Sequence, residues 1–495
     1  MMRDFTLHDL FVRNAKVAKN TIALVTNDDR MTFEQLNTYS KHLSNWLSEK
    51  GVSQGDRVAL LSMNHPGFFI LFAAAAQLGA ILVPLNWRLA NDELDYILGD
   101  SGPKLIFADD NQLSKAREVA EPRNLPVVNM ETTLIADDAI SRVAPSAIPA
   151  ISAEDPICII YTAAVEGKPR GAVLSHSNLI SANLQVIASM GLTSDDVNLN
   201  MLPLFHITGM NMALAVMQLG GKNVVMEKFN EAEALQLTNQ EDVTIWGSFP
   251  PILQRMTTEL QGADQQVESL KYVVGIDGPD NIQPFEAITK AKFWILYGQS
   301  ETSGFVTFSQ ASDKPGTAGK QGCLSNYILV DENDNEVPDG TTGEIAVRGP
   351  LVFQGYWQQH EANAWTFRNG WHHTGDLGQL DEDGFLLYKG RKPEKELIKP
   401  GGENVYPAEV ENVILQHPDV TSVSVIGVPD PKFGEGVKAV CVLVEDSALT
   451  DKELIEFVGS KIARYKKPGY VQFVDALPMD GNKIDRNKVK ELYGF

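Results

Sequence analysis

The chain has 495 residues, more than one hydrophobic core usually serves, so two or three domains are expected. Hydrophobic residues make up 43% and charged residues 21%, the proportions of a globular protein with an ample core. A net charge of −22 and a pI near 4.8 argue against general binding of nucleic acid or anionic membrane, so an anionic substrate must be caught by local positive groups.

The N-terminus, MMRDFTLHDLF, carries no signal-peptide apolar core. Thr32 and Gln35 form a capping-box signature, and Leu36, Tyr39, Leu43 and Trp46 recur on one helical face that Gly51 ends. Val58 to Met63 reads as a core strand. Phe68 to Leu85 is apolar and about long enough to span a bilayer, but Gln77 and Gly79 interrupt it and Pro84 ends it. A buried helix over Phe68–Gln77 and a strand over Ile81–Leu85 follow, with no stable membrane insertion. Leu105 to Ala108 and Ile157 to Tyr161 read as further buried strands, and Ala144–Ala153 as a surface connection. Strands alternating with helices imply parallel α/β layers. Cys158, Cys323 and Cys441 lie far apart with no metal or redox spacing, which suits a reducing cytoplasm.

The motifs follow in order. Tyr161 to His176 reads YTAAVEGKPRGAVLSH, a strand delivering a loop with Gly167 and Lys168, as chains present amides and a cation to phosphates. Leu202-Pro-Leu-Phe-His206 ends an apolar run on a histidine, which by itself suits a satisfied core residue. Trp246 to Pro251, Val274 to Pro279 and Tyr297-Gly-Gln-Ser-Glu-Thr302 come next. Gly343 to Pro350 reads as a strand of a small β-rich subdomain, followed by Gly355-Tyr356-Trp357. The stretch from His372 to Glu411 is the densest in signal. Thr374-Gly375-Asp376 puts a carboxylate on a tight turn, where vicinal hydroxyls could meet two acceptor oxygens. Asp381 to Gly384 reads as a turn and Phe385 to Lys389 as a short strand. Lys392-Pro-Glu-Lys-Glu396 is charged and suits a hinge. Gly401-Gly402 let a ligand approach the backbone closely, and Pro407 opens a helix to Gln416. Beyond it, Val423–Val428 and Val437–Val444 alternate as strands, and Thr450 with Glu453 caps a helix.

This ordered series, YTxxxxGKPRG, LPLFH, YGQSET, GExxxRGP, TGD, GR, IKPGGENVYPAEVE, RYKKP and LPMDGNKIDR, resembles the adenylate-forming acyl-CoA synthetase family over nearly the whole chain. The resemblance implies an α/β fold: a large N-terminal domain of α/β layers with a small β-rich subdomain (1–389), a hinge (390–396) and a small mobile α+β C-terminal domain (397–495). It implies an AMP-forming carboxylic acid–CoA ligase that uses ATP, Mg²⁺ and CoA and acts through an acyl-adenylate on a small-molecule carboxylic acid. Lys483, Thr302, Glu301 and Lys168 take the catalytic positions, with Glu301 on the metal. Thr162, Gly167, Gly278, Pro279, Tyr297, Gly298, Gln299, Ser300, Asp376 and Arg391 take the nucleotide positions, and Gly401 and Gly402 line the pantetheine tunnel. His206, Trp246 and Gly298 border the acyl site. Gly298 replaces the bulky tryptophan of acetate-specific relatives, which favours a larger acid: medium- or long-chain, alicyclic or aromatic. The chain departs from the family at Ala163-Ala164-Val165-Glu166, where three hydroxyl donors and a glycine give way and a carboxylate enters. A carrier-protein-charging enzyme and a catalytically impaired binding protein on the same fold are the alternatives. No nucleic-acid partner is implied, and a homodimer stays open.

Overall fold

A computed structural model describes residues 4–26, 29–131, 148–162, 168–263, 266–392, 397–480 and 483–494. The fold starts from two helices that are apolar on every side. Gly67–Leu78 and Ile207–Leu219 are almost wholly buried, as a helix without a polar face must be. Phe69, Phe72, Met210 and Leu214 share one core with Leu36 and Leu43 of the helix Phe33–Glu49 and with Val58, Leu60 and Leu82 of neighbouring strands. Thr32 caps the Phe33–Glu49 helix: its hydroxyl accepts from Gln35 N at 3.2 Å, and the Gln35 side chain accepts from Thr32 N at 2.8 Å.

Two large sheets flank these helices. One has seven strands in the order Gly355–Tyr356, Arg170–Ser175, Pro156–Thr162, Ile81–Leu85, Arg57–Leu61, Ile106–Ala108, Val127–Asn129. Its four pairings from Pro156–Thr162 to Val127–Asn129 are parallel, and Arg170–Ser175 returns antiparallel beside Pro156–Thr162. The other has eight strands, in the order Thr307–Gln310, Lys292–Tyr297, Tyr272–Gly275, Ile245–Ser248, Val197–Asn200, Lys222–Val225, Ile22–Val25, Arg30–Thr32. Its interior pairs are parallel, so the ends of Lys292–Tyr297, Tyr272–Gly275 and Ile245–Ser248 open toward one edge. Ligands of parallel α/β sheets collect at that edge.

A third sheet, wholly antiparallel, joins Asn326–Val330, Gly343–Arg348, His372–Leu380 and Leu386–Arg391. The Thr374-Gly375-Asp376 run, expected as a tight turn, lies inside the nine-residue strand His372–Leu380. Gly375 sits at φ +73°, and the register slips between Glu344 and Ala346, so the strand bulges there. The bulge does the work expected of the turn: it re-aims Asp376. Residues beyond the third sheet build a separate small unit. Val420–Asp430, Gly434–Leu443 and Tyr470–Phe473 form its sheet, covered by helices Pro407–Ile414, Asp451–Lys461 and Arg486–Tyr493. Of the expected hinge, residues 393–396 lie outside the described residues.

Phe72 is fully buried between the layers, so Phe72→Ala leaves a cavity that close-packed neighbours cannot fill. The expected cost is about 3–5 kcal/mol, read as a lowered urea midpoint of the large unit.

Candidate active site

A cavity of about 340 Å³ opens at the strand edge described above. Its walls come from both units. The hairpin contributes Thr162 and Arg170, the strand end and following turn contribute Gly298 to Glu301, and the small unit contributes Lys399, Tyr406 and Phe433. One side is apolar, built by Ile207, Phe249, Ile276 and Leu296.

Asp376 lies beneath this cavity at 1% exposure. A carboxylate so deep needs partners on both oxygens. Arg391 Nε pairs with Oδ1 at 2.8 Å and the Tyr388 hydroxyl donates to Oδ1 at 3.2 Å. The Tyr297 hydroxyl donates to Oδ2 at 2.8 Å and Gln299 Nε2 at 2.5 Å. Arg391 and Thr374 reach the cavity wall itself. Burial would lower the Arg391 guanidinium, but Asp376 and the tyrosines Tyr406 and Tyr388 hold it above its usual range.

Glu301 faces the cavity on the turn Ser300–Thr302. Thr162 Oγ1 and the Tyr356 hydroxyl both donate to its Oε1, at 3.3 and 3.0 Å. Among the described residues those two bonds leave Oε2 for a hard cation, and a single carboxylate beside substrate phosphates is how Mg²⁺ is commonly held. Arg170 stands next to this group, with its guanidinium 5.7 Å from the Tyr356 ring centre. A second acidic cluster, Asp334, Glu344 and His373, is already neutralised: Arg368 and Lys392 pair with Glu344 at 3.1 and 2.8 Å. Burial would raise Glu344, but His373 and Lys392 hold it well below the usual carboxylate range.

His206 caps the buried helix Ile207–Leu219, its Nδ1 accepting from Thr208 N at 3.4 Å. Burial, and then Arg88 nearby, pushes its imidazole down to about 4. His206, Phe249 and Pro250 also line a second cavity of about 300 Å³, together with Trp87, Arg88, Arg255 and Gly401. The two cavities therefore share a wall, and the second is closed partly by the small unit.

Residues 11–357 match the AMP-binding enzyme family, and residues 409–483 match its C-terminal domain. The chain belongs to the AMP-binding enzyme family. It is 33% identical over 500 residues to a feruloyl-CoA synthase of Amycolatopsis sp., covering 100% of both chains. It is 31% identical over 477 residues to the long-chain-fatty-acid–CoA ligase FadD13 of Mycobacterium tuberculosis, covering 94% of each. Among solved structures, o-succinylbenzoate CoA synthetase of Bacillus subtilis matches in two forms, both at 28% identity and covering 97% of this chain and 98% of that one. The double mutant bound with a product analogue, OSB-NCoA, gives a TM-score of 0.87, and the complex with AMP gives 0.71.

For this AMP-binding enzyme the geometry places most of the expected residues, and moves some. Thr162, Gly298, Gln299, Ser300, Glu301, Arg391 and His206 line the first cavity, and Gly401 the second. Gly298 has a backbone reason: a Cβ there would come within 2.3 Å of the Gly304 carbonyl. Tyr297 is buried, and its hydroxyl holds Asp376. The Thr302 hydroxyl accepts from Gln299 N at 2.9 Å, bracing the turn that carries Glu301. Gly278 caps the helix Pro279–Thr289, and Pro279 borders a separate cavity of about 250 Å³. Trp246 is a correction: side chains alternate along Ile245–Ser248, and this one faces away from the cavity, its indole N–H bonded to Thr238 at 2.9 Å among Phe285 and Phe293. The Lys168 ammonium lies over the Tyr96 ring, 5.6 Å from the centroid, while Arg170 two residues on lines the cavity wall. Gly167 and the Lys483 side chain lie outside the described residues, as does the burial of Gly402; the backbone of Lys483 is in the hairpin Met479–Asp480/Lys483–Ile484.

Residues not singled out from the sequence also reach the cavity: Arg170, Tyr356, Lys399, Tyr406, Phe433 and Glu435. Lys399 is pushed down by burial and by Arg391, against Asp376 and Glu435. Its place in the run Ile398-Lys399-Pro400-Gly401 was the available signal.

Because burial disfavours the charged imidazole, His206 stays neutral until the pH falls to about 4. The expected result in a histidine-labelled NMR titration is no inflection for His206 above about pH 5, near the ordinary histidine range of about 6.5. His206→Gln identifies the resonance.

Proposed function

We propose that this chain is an ATP-dependent, AMP-forming carboxylic acid–CoA ligase acting on an aromatic, alicyclic or medium- to long-chain acid. One observation carries the reading: a single cavity joins an apolar wall (Ile207, Phe249, Ile276, Leu296) to a polar end with Glu301, Thr162, Arg170 and Arg391. An acid with an apolar body and a nucleotide phosphate would meet there. The names of the relatives favour free CoA as acceptor over a carrier protein.

In the first half-reaction the substrate carboxylate oxygen attacks the α-phosphorus of ATP, and the bond to the β-phosphate oxygen breaks, releasing pyrophosphate. Bringing two anions together sets the barrier. Arg170 and Arg391 are placed to offset the charge, and Mg²⁺ at Glu301 would add Lewis-acid stabilisation of the phosphoryl oxygens. Thr162 and Tyr356 hold the Glu301 carboxylate toward the cavity before substrate arrives. The ribose end falls to the Asp376 region, where Thr374, Gln299 and Arg391 reach the cavity wall. Lys483, on the C-terminal hairpin, is the cation the family resemblance assigns to this step.

In the second half-reaction the CoA thiol gives its proton to solvent and attacks the acyl carbon, the acyl–phosphate bond breaks and AMP leaves with the electron pair. The second cavity, between Trp87, Arg88 and Gly401, is the proposed path for the pantetheine arm. The contrast of TM-scores, 0.87 against the product-analogue form and 0.71 against the AMP form of one relative, supports reading the present arrangement as the CoA-facing one. We take 1–389 and 397–495 as the moving domains and 390–396 as the hinge. The free thiol of exposed Cys323 supports the reducing cytoplasm as its setting.

A panel of aromatic, alicyclic and fatty acids tests the function. Acid-dependent pyrophosphate release with ATP, followed by acyl-CoA when CoA is added, is expected for at least one class. Turnover of none of them would refute it. Lys483→Ala should lower adenylate formation by about a hundredfold or more, the scale of losing a positioned charge at a phosphoryl centre. Transfer from supplied acyl-adenylate should survive it; equal loss of both steps would make Lys483 structural.

Arg170→Ala should raise the KM for ATP by roughly tenfold, the worth of a charge-assisted hydrogen bond. Lys168→Ala, which removes an exposed cation over Tyr96, should change it far less. The reverse ranking would restore Lys168 as the phosphate ligand.

A further inference from the structure

The segment Asn86 to Glu93 of the large unit meets the small unit at three points. Arg88 pairs with Glu403. Asn86 Nδ2 lies 3.5 Å from the Tyr465 hydroxyl. Glu93 receives the most: Lys466 Nζ at 2.6 Å on Oε1, and Ala463 N at 2.9 Å on Oε2. Ala463 itself packs into the core around Leu94 and Ile97 of the large unit. Lys466 has a side chain only 3% exposed, and its other partner, Glu409 at 2.8 Å, belongs to its own unit. Burial would push the Lys466 ammonium down, but Glu409 and Glu93 hold it above its usual range.

We propose that Glu93 is a positioning residue for the second half-reaction, a latch that holds the small unit where Gly401 closes the thiol path. The inference rests on the two-step ligase reading above. A buried ion pair across a moving boundary ordinarily carries a heavy penalty, because separation strands each charge without a partner. Here separation strands neither. Lys466 keeps Glu409, and Glu93 keeps the N–H of Ala90, which its Oε2 accepts at 2.8 Å as part of the capping box of helix Asn91–Ser101. The pair is therefore strong when closed and cheap to open, as a contact made and broken in each turnover must be. Lys115 stiffens the platform by donating to the carbonyls of Trp87 and Leu89. Orientation-specific contact thus sits in eight consecutive residues between the second cavity and the helix they introduce.

Glu93→Gln separates this role from a structural one. Glutamine is an accepted capping-box residue, so the helix start survives, while the charged partner of Lys466 is lost. In the full-length variant, the transfer of an accepted acyl group from its purified adenylate to CoA should slow by about tenfold or more. ATP–pyrophosphate exchange with the same acid should stay within about twofold of wild type, as that step does not use this contact. Lys466→Met should also slow transfer, and the double variant should be no slower than the slower single, because both remove one interaction. Equal slowing of both half-reactions, unchanged transfer, or additive losses would each overturn the latch. A wild type inactive in both half-reactions would instead overturn the ligase reading, so the two failures are distinct.

Discussion

The active-site side of this molecule depends on one buried carboxylate. Asp376 is satisfied by Arg391, Tyr388, Tyr297 and Gln299, groups carried by two stretches of chain besides its own. Removing a partner from such a buried charge costs about 3–5 kcal/mol, so the strand end at Tyr297, the bulged strand and the strand leading to Arg391 are fixed relative to one another. Arg391 opposes Asp376 in the antiparallel ladder and lies at the start of the proposed hinge, residues 390–396. Its Nη1 also donates to the Tyr406 hydroxyl of the small unit at 2.8 Å. The floor of the cavity and the start of the hinge are thus one rigid piece.

Lys392 extends that rigidity by one residue. Its ammonium pairs with Glu344 at 2.8 Å, and its backbone N–H donates to Gly375 at 3.0 Å. In the two-step reading, the proposed rotation would then fall after Lys392. The large and small units also meet through polar and charged contacts, Arg88 with Glu403 and Lys466 with Glu93, beside Ala463 and Tyr465 packed against the core of the large unit. An interface of that composition is suited to separating, whereas a broad apolar one would commit the units to a single arrangement.

Much of this was legible in the sequence because it is local. The capping boxes at Thr32 and Thr450, the strand Ile81–Leu85 and the helix that precedes it depend on neighbours within a few residues. The motifs placed Glu301, Arg391 and Gly401 at the cavities because their spacing is tied to strand ends. What failed needed direction, which spacing does not carry. Trp246 and Gly247 are adjacent, yet the pleat sends them to opposite faces. Lys168 and Arg170 are cations two residues apart, and the pairing of Arg170 with Thr162 across the hairpin puts Arg170 beside the cavity. The bulge at Gly375 arises from mismatch against Gly343–Arg348, a partner strand some thirty residues earlier, and the dock at Glu93 joins residues 370 and 373 positions apart.

The acidic balance of the chain makes the remaining point sharper. With a net charge of −22, the long-range field opposes ATP and CoA, and it is screened beyond about 8 Å in physiological salt. Recognition must therefore be local, and among the described residues the cations lining the cavity are Arg170, Arg391 and Lys399. Arg391 is largely spent on Asp376; Arg170 comes from the large unit and Lys399 from the small one. Lys399 sits directly beyond the hinge, so its presence at the cavity depends on how the small unit is docked. Under the two-step reading, the charge of the site is then set by domain orientation: the arrangement that brings Gly401 to the thiol path also brings Lys399 beside the departing AMP, while Lys483 stays on its own hairpin. On that reading, exchanging one lysine for the other would let a single acyl pocket serve two leaving groups without moving the acyl chain.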